Sequence, residues 1–340
     1  MSTSTESIST QSLAQSQRSQ QMSTEAIMTQ SLAQALQPPS LQAQQTSLHV
    51  LMALTRLSQH NRDQLAQAHQ AIPTLLSLSR PPNPPATSLL SLSVLFNLSL
   101  NPKLKPTLAT PGLISLLNDT LLDEIEEETS RLSASLLCSL ALHHKNKAML
   151  GVEGTIQALV GSLDVPYRAT QHALSALGEL VLFHGNNTLA IEADAVPLLL
   201  GIVEREDGEE LVGSALSVLN LLLRHSEGVA AVRRESGCIG VVVGAIRRRS
   251  MLSKESSCEI LLRLFKERDE WILEAEEQGL SLLLTDLSIR GSAKAREKSM
   301  VLLEMVVELQ ARNGIGEASL VASDFSVDQS FEVDQLLSFQ

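Results

Sequence analysis

The chain is 340 residues long, with a formal net charge of −12, one Trp, one Tyr and six Phe. That balance lacks the basic stripe that phosphate binding needs and the interleaved aromatics that grip single strands, so no nucleic-acid partner is expected. No apolar run approaches the ~20 residues that span a bilayer, and the longest near-miss, Leu211–Leu223, is interrupted by Gly213, Ser214, Ser217 and Asn220, so no membrane insertion is expected.

Residues 1–40 are rich in Ser, Thr and Gln, a composition that supplies too little apolar surface for a core, and a disordered tail is expected there. Within it Ser4–Gln15 (STESISTQSLAQ) recurs as Ser23–Gln34 (STEAIMTQSLAQ) at an offset of 19. No basic start followed by an apolar core marks a secretory leader. From Leu41 the chain reads as helices, beginning with Ser47–Ser58 and Ile72–Ser79. The run Arg80–Pro85 (RPPNPP) predicts a rigid surface turn, and Ala86–Ser99 a helix with Leu and Val at helical spacing. An acidic loop is expected over Asp119–Glu128, then a helix over Thr129–Leu142. A short helix near Gly154–Leu163, a turn at Asp164–Pro166 and a helix over Tyr167–Phe183 follow. A second acidic loop, Glu204–Glu210, precedes Leu211–Leu223. The last unit reads as Gly279–Leu287 and Ala293–Gln310, with Lys294, Arg296 and Lys298 keeping its outer face soluble. Residues 313–340 hold no Lys or Arg, five acids (Glu317, Asp324, Asp328, Glu332, Asp334) and Phe325, Phe331 and Phe339, and are expected to form an acidic disordered tail.

The helices recur. An apolar residue opens the second helix of each unit at Ile72, Ile114, Ile156, Val196, Ile239 and Leu280, with successive differences of 42, 42, 40, 43 and 41. A period near 40 with two or three helices per unit marks an armadillo or HEAT solenoid, in which neighbouring units bury each other's apolar faces. Gln70, Gly112, Gly154, Asp194, Gly237 or Gln278 stands two residues earlier, where a left-handed or tight turn is expected. The expected fold is an all-α, right-handed armadillo-repeat superhelical solenoid over residues 41–312.

Chemistry is sparse. Cys138, Cys238 and Cys258 are odd in number and unclustered, the pattern of reduced thiols in an intracellular protein. His143, His184 and His225 lie 41 apart, which puts them at equivalent ends of successive units. Packed helices sit about 10 Å apart, too far for one ion with bonds of about 2 Å. There is no HExxH, CxxC, Gly-rich phosphate loop or GxSxG elbow. No catalytic residue, metal site or cofactor is assigned. Arg247–Arg249 reads either as a nuclear-import signal or as the ordinary basic end of a helix.

The third helices of such units line the concave face. Their inward polar positions include Ser93 and Asn97, Ser135 and Ser139, Ser175 and Glu179, and Glu259 and Arg263, with Asn220 or Leu221 in the unit between. Members of each pair are four apart and share a helix face. An Asn amide both donates and accepts, so a column of them can hold an extended peptide; here Asn97 and Asn220 fit that column. The expected function is a monomeric scaffold that binds an extended peptide or a partner protein on this groove.

Three segments carry a family resemblance: LFNLSLNPKLKPTLATPGLISLL from Leu95, LCSLALHHKNKAMLGVEGTIQALVGSL from Leu137, and RATQHALSALGELVLFHGNNTLAIEADAVPLLL from Arg168. They resemble the armadillo half of plant U-box ubiquitin ligases, over roughly residues 41–312. The resemblance implies that the repeats bind a ubiquitination substrate or a regulatory kinase, while a separate U-box recruits the ubiquitin-conjugating enzyme. A U-box needs Cys-Pro pairs and a Trp, yet residues 1–40 have neither Cys nor Trp, and Trp271 sits inside a repeat. The implied role is an adaptor in ubiquitin-dependent turnover or signalling. The alternative is a ubiquitin–protein ligase working with a U-box that this chain does not carry. A nuclear-import receptor would show a Trp and Asn ladder, whereas Ser93, Ser135 and Ser175 occupy the Trp positions. A cytoplasmic location follows, with the nucleus also open to the protein.

Overall fold

The computed structural model describes residues 24–35, 38, 40–122, 127–163, 170–205 and 208–332, with side chains as far as residue 314. Among the described residues every regular element is a helix. They fall into two compact units, divided between Leu198 and Leu199.

In the first unit α1 (24–35) and α2 (Leu41–Leu57) lead into three helix triplets. These are α3 (Gln59–Gln67), α4 (Ala71–Leu78) and α5 (Pro85–Ser99); α6 (Lys105–Leu108), α7 (Pro111–Leu122) and α8 (Glu127–Ala141); and α9 (Asn146–Val152), α10 (Thr155–Gly161) and α11 (Thr170–Leu180). Next come α12 (His184–Glu192) and the start of α13 (Ala195–Glu204). The third helices α2, α5, α8 and α11 pack side by side, and α4, α7 and α10 each cover the third helix of their own triplet. Between them Leu95, Leu98, Leu136, Leu137, Leu140, Leu174 and Leu177 are buried, so burial comes from stacking rather than from any one helix.

Local signals set the helix starts. Ser40 Oγ accepts from the Ala43 N–H at 3.2 Å and Ser58 Oγ from the Asn61 N–H at 3.1 Å, each satisfying a donor that the first turn leaves open. The RPPNPP run stays outside α5 until Pro85, which takes the first helical position, where proline's fixed φ is compatible. Second helices follow a left-handed residue: Gln70 (φ 68°), Gly154 (φ 82°), Asp194 (φ 60°), Gly237 (φ 75°) and Gly279 (φ 76°). Two expected turn residues are corrected. Gly112 lies inside α7, because Pro111 starts that helix and Thr110 Oγ1 caps the Leu113 N–H at 3.3 Å. In the last unit the left-handed residue is Gly279, one later than Gln278.

The boundaries also move. Residues 24–35, assigned above to a disordered tail, are helical, with Met28, Leu32 and Ala35 buried. Those residues recur at i, i+4 and i+7, which gives an otherwise polar segment one apolar stripe. The Gln44 amide donates to Ala35 O at 3.1 Å and ties α1 to α2. The first copy of the duplication lies outside the described residues. The backbone of α20 (Ala293–Glu332) continues past residue 313, where the acidic disordered tail was expected; no proline interrupts its hydrogen bonding there. The turn at Asp164–Pro166 and the centres of both acidic loops lie outside the described residues, but Glu127, Glu128, Glu209 and Glu210 belong to the first turns of α8 and α14.

The second unit holds the end of α13, then α14 (Glu209–Leu222), α15 (Ser226–Val232), α16 (Cys238–Ile246), α17 (Met251–Leu264), α18 (Asp269–Glu277), α19 (Leu280–Arg290) and α20. Here α14, α17 and α20 pack side by side. In α16, Ile239, Val243 and Ile246 are buried. In α19 the matching positions Leu280, Leu284 and Leu287 are buried too, but the positions one later, Ser281, Thr285 and Ser288, are polar. Ser281 donates to the Glu276 carboxylate at 2.9 Å, Thr285 to Ser281 O at 2.8 Å and Ser288 to Thr285 O at 2.8 Å. A repeat with a polar outer face is one that ends a stack, and α19 supplies that polarity as well as α20. Lys298, expected on the soluble outer face, instead turns to Glu259 at 2.6 Å.

Candidate protein-binding face

Solvent reaches one stripe of each third helix in the first unit: Leu89, Ser93, Phe96 and Leu100 along α5; Arg131, Ser135, Cys138 and Leu142 along α8; Gln171, Ser175, Gly178 and Leu182 along α11. The 4-3-4 spacing keeps each set on one side of its helix. The structure thus places Ser93, Ser135 and Ser175 on this face. Each hydroxyl donates to the carbonyl four residues back, at 2.8, 2.9 and 2.9 Å. Where α2, α5 and α8 adjoin, the face opens into a pocket of ≈ 310 Å³ lined by Met52, Leu89, Ser93, Glu128, Arg131 and Ser135 among others. Its walls mix Met52 and three leucines with the two serines and the Glu128–Arg131 pair, 3.8 Å apart.

Asn97 and Ser139 do not join the face. Asn97 is 7% exposed, and its amide donates to Met52 O and Thr55 Oγ1 of α2, both at 3.1 Å. Ser139 accepts from Ser99 Oγ at 2.8 Å and from Lys105 Nζ at 2.7 Å. Burial holds the Lys105 amine below the usual ammonium range. The physical reason is rotation: the residue after a solvent-facing position is turned by ~100° toward the neighbouring third helix. Glu179 is half-buried and takes Lys147 Nζ on its carboxylate at 3.2 Å and on its carbonyl at 2.6 Å. The half-buried neighbours of the three serines along the stripe are Phe96, Cys138 and Gly178. Burial pushes the Cys138 thiol up, with Glu179 adding to the shift.

Sequence reasoning missed a buried amide ladder. Asn61 donates to Leu54 O at 2.8 Å, Asn146 to Leu140 O at 3.0 Å and Lys105 O at 3.2 Å, and Asn186 to Leu180 O at 3.1 Å and Lys147 O at 2.8 Å. Each closes carbonyls at the end of a third helix, which otherwise lack intrahelical donors. The signal was legible as an Asn shortly after α2, α8 and α11, in HNR, HHKN and HGN. The second unit uses Gly228 instead, where a Cβ would stand 2.1 Å from Leu222 O.

In the second unit the expected residues meet in one network. Arg263 Nε donates to Asn220 Oδ1 at 3.3 Å, and Glu259 bridges Arg263 at 3.0 Å and Lys298 at 2.6 Å. The hydrogen bond from Lys298, aided by the cationic neighbours, holds the Glu259 carboxyl below its usual range. Leu221 is half-buried beside Asn220. Elsewhere in this unit Arg247 donates to Gln278 O and Arg248 to Val203 O at 2.7 Å, so these arginines close helix ends. They border a cleft of ≈ 840 Å³ floored by Gly240 and Gly244. His143 stacks on His144 at 5.2 Å, while His184 opens α12 and His225 precedes α15. Burial pushes the Cys238 and Cys258 thiols up to about 11 and about 12.

Comparison with known proteins gives a match to the plant U-box protein ARM repeat region across residues 23–314. The chain belongs to this family. The family match takes in α1 and the third-helix stripes of the first unit. U-box domain-containing protein 1 of Medicago truncatula is 29% identical over 124 residues, which are 36% of this chain and 18% of that protein. U-box domain-containing protein 13 of Arabidopsis thaliana is 30% identical over 102 residues, 30% of this chain and 15% of that protein. The chain therefore aligns with under a fifth of either relative. Among solved structures, a designed armadillo repeat protein superimposes with a TM-score of 0.61 at 18% identity, covering 68% of this chain and 98% of its own. Computationally designed armadillo repeat proteins for modular peptide recognition give 0.62 at 18% identity, with the same coverage of 68% and 98%. The fold of this family member is all-α armadillo.

Proposed function

We propose that the chain is a protein-binding scaffold without chemistry of its own, and that it serves as an adaptor in ubiquitin-dependent turnover or signalling. The observation that carries this reading is the solvent-facing stripe repeated on α5, α8 and α11, with a pocket of ≈ 310 Å³ of mixed apolar and charged lining at Ser93 and Ser135. The armadillo neighbours designed for peptide recognition support the binding role, and family membership supports the link to ubiquitin. The partner is a protein, a kinase or a ubiquitination target, met in the cytoplasm or nucleus. The Asn220, Glu259 and Arg263 network is a second, charged contact region. Ser93→Arg with Ser135→Arg puts two cations on the exposed face without touching the buried amides. Partners captured by the wild type and lost by this variant support the reading; retention of all partners would move the site elsewhere.

The U-box relatives favour one alternative, ubiquitin–protein ligase activity carried out with a U-box. Discharge of ubiquitin from a charged conjugating enzyme separates the two. The scaffold reading expects no stimulation by this chain, and stimulation would favour the ligase.

A further inference from the structure

In the first unit each third-helix stripe ends in a leucine. Leu57, Leu100, Leu142 and Leu182 are 77%, 47%, 59% and 51% exposed. They follow one another at 43, 42 and 40 residues. Hydrogen bonds set the register of the first three, and α11, which leads to Leu182, packs beside α8. The Asn97 amide bonds Thr55 just before Leu57, and Ser99 bonds Ser139 just before Leu100 and Leu142. The leucines therefore form a row across adjacent helices, at the 8–10 Å separation of packed helices. Single exposed leucines are ordinary on protein surfaces, but a row in register is a contiguous apolar surface of the kind that marks an interaction site.

Charge selects the flank of the occupant. Arg56, Lys103 and Lys145 stand one residue before Leu57 and three after Leu100 and Leu142. All three are exposed, and no acidic side chain bonds them among the described residues. They place a cation within three residues of each of the first three leucines, on a chain of net charge −12.

The backbone selects its conformation. An extended peptide brings an N–H and a C=O per residue that need partners. This face offers no amide column, because Asn97 is bound to α2 and the three serines to their own helices. An α-helix satisfies its own backbone and repeats a side chain every seven residues, about 10.5 Å apart, close to the spacing of the row. We infer that the leucine row of the first unit docks one amphipathic, acidic α-helix of a partner protein, apolar every seventh residue and acidic along one flank. This rests on the protein-binding reading of the same face and names the partner's chemistry.

The test uses the whole chain and a labelled peptide. Three inter-leucine steps correspond to roughly 20 helical residues. The probe is an Ala/Gln-rich helix of that length with Leu at every seventh position and Glu beside each. One control carries two central prolines and the other replaces Glu with Lys. Fluorescence anisotropy is expected to show saturable, salt-sensitive binding of the acidic helix. Leu100→Asp with Leu142→Asp should weaken it at least tenfold; both sites are exposed, and unchanged circular dichroism and melting would show that the variant is folded. The proline and Lys peptides should not bind. Equal binding of the proline peptide, no binding of the helix, or indifference to the leucine substitutions would each overturn the inference. So would a dimer that the leucine substitutions dissociate, since a second copy would then cover the row. If Ser93→Arg with Ser135→Arg still loses partners while the leucine variant keeps them, the scaffold reading stands and this inference falls.

Discussion

Asn146→Ala tests whether the buried amides hold successive repeats together. Asn146 is 3% exposed and donates to Leu140 O at 3.0 Å and Lys105 O at 3.2 Å. Each carbonyl keeps a second donor, the His143 N–H at 3.2 Å and the Ala109 N–H at 3.1 Å. The substitution therefore removes two hydrogen bonds without orphaning either acceptor. At about 0.5–1.5 kcal/mol net per bond, the expected loss is about 1–3 kcal/mol, below the sum of two full desolvation penalties. Urea unfolding followed by circular dichroism gives the total, and hydrogen exchange at the ends of α8 and α9 locates it. Ser135→Ala is the control, because its hydroxyl bonds only its own helix at 2.9 Å, and it should stay within about 0.5 kcal/mol of wild type. An Asn146→Ala variant as stable as that control would refute the role assigned to the ladder.

Three further outcomes are expected. Gly228→Ala should cost several kcal/mol, since its Cβ would lie 2.1 Å from the Leu222 carbonyl oxygen, whereas Gly244→Ala, with open space around it, should be neutral or stabilise by up to ~1 kcal/mol; thermal melts of the pair compare them directly. Gly154→Val should cost about 1–3 kcal/mol from backbone strain alone, because φ is 82° and nothing lies within 4 Å of the new Cβ, and an unchanged melt would contradict that backbone. Glu259 has a depressed folded-state pKa, so its contribution is present above the ordinary glutamate value and is lost as pH falls through the folded one; Glu259→Gln should flatten the acid limb of the unfolding profile, and an unaltered limb would count against the Lys298 contact.

Much of the architecture was legible because stacked helices leave a periodic trace. The recurrence from Ile72 to Leu280 followed from the need for each unit to bury its neighbour. The start at residue 24 was harder to see: Met28, Leu32 and Ala35 are a thin stripe in a polar segment, and burial comes only from the helices beneath them. Pro111 displaced the turn expected at Gly112, a local effect that the period alone could not show.

Sequence by itself determined the repeat length, the helix order and the serine column Ser93, Ser135 and Ser175. Only the tertiary structure decided that Asn97 and Ser139 face inward while Phe96 and Cys138 meet solvent. Neighbouring residues on a helix differ by ~100°, so either assignment satisfies the same period. Which one faces water depends on the rotation at which α5 seats against α2, and α8 against α5. That rotation is set by contacts between residues some forty positions apart, Asn97 with Thr55 and Ser139 with Ser99, whose pairing becomes visible only once the helices are packed.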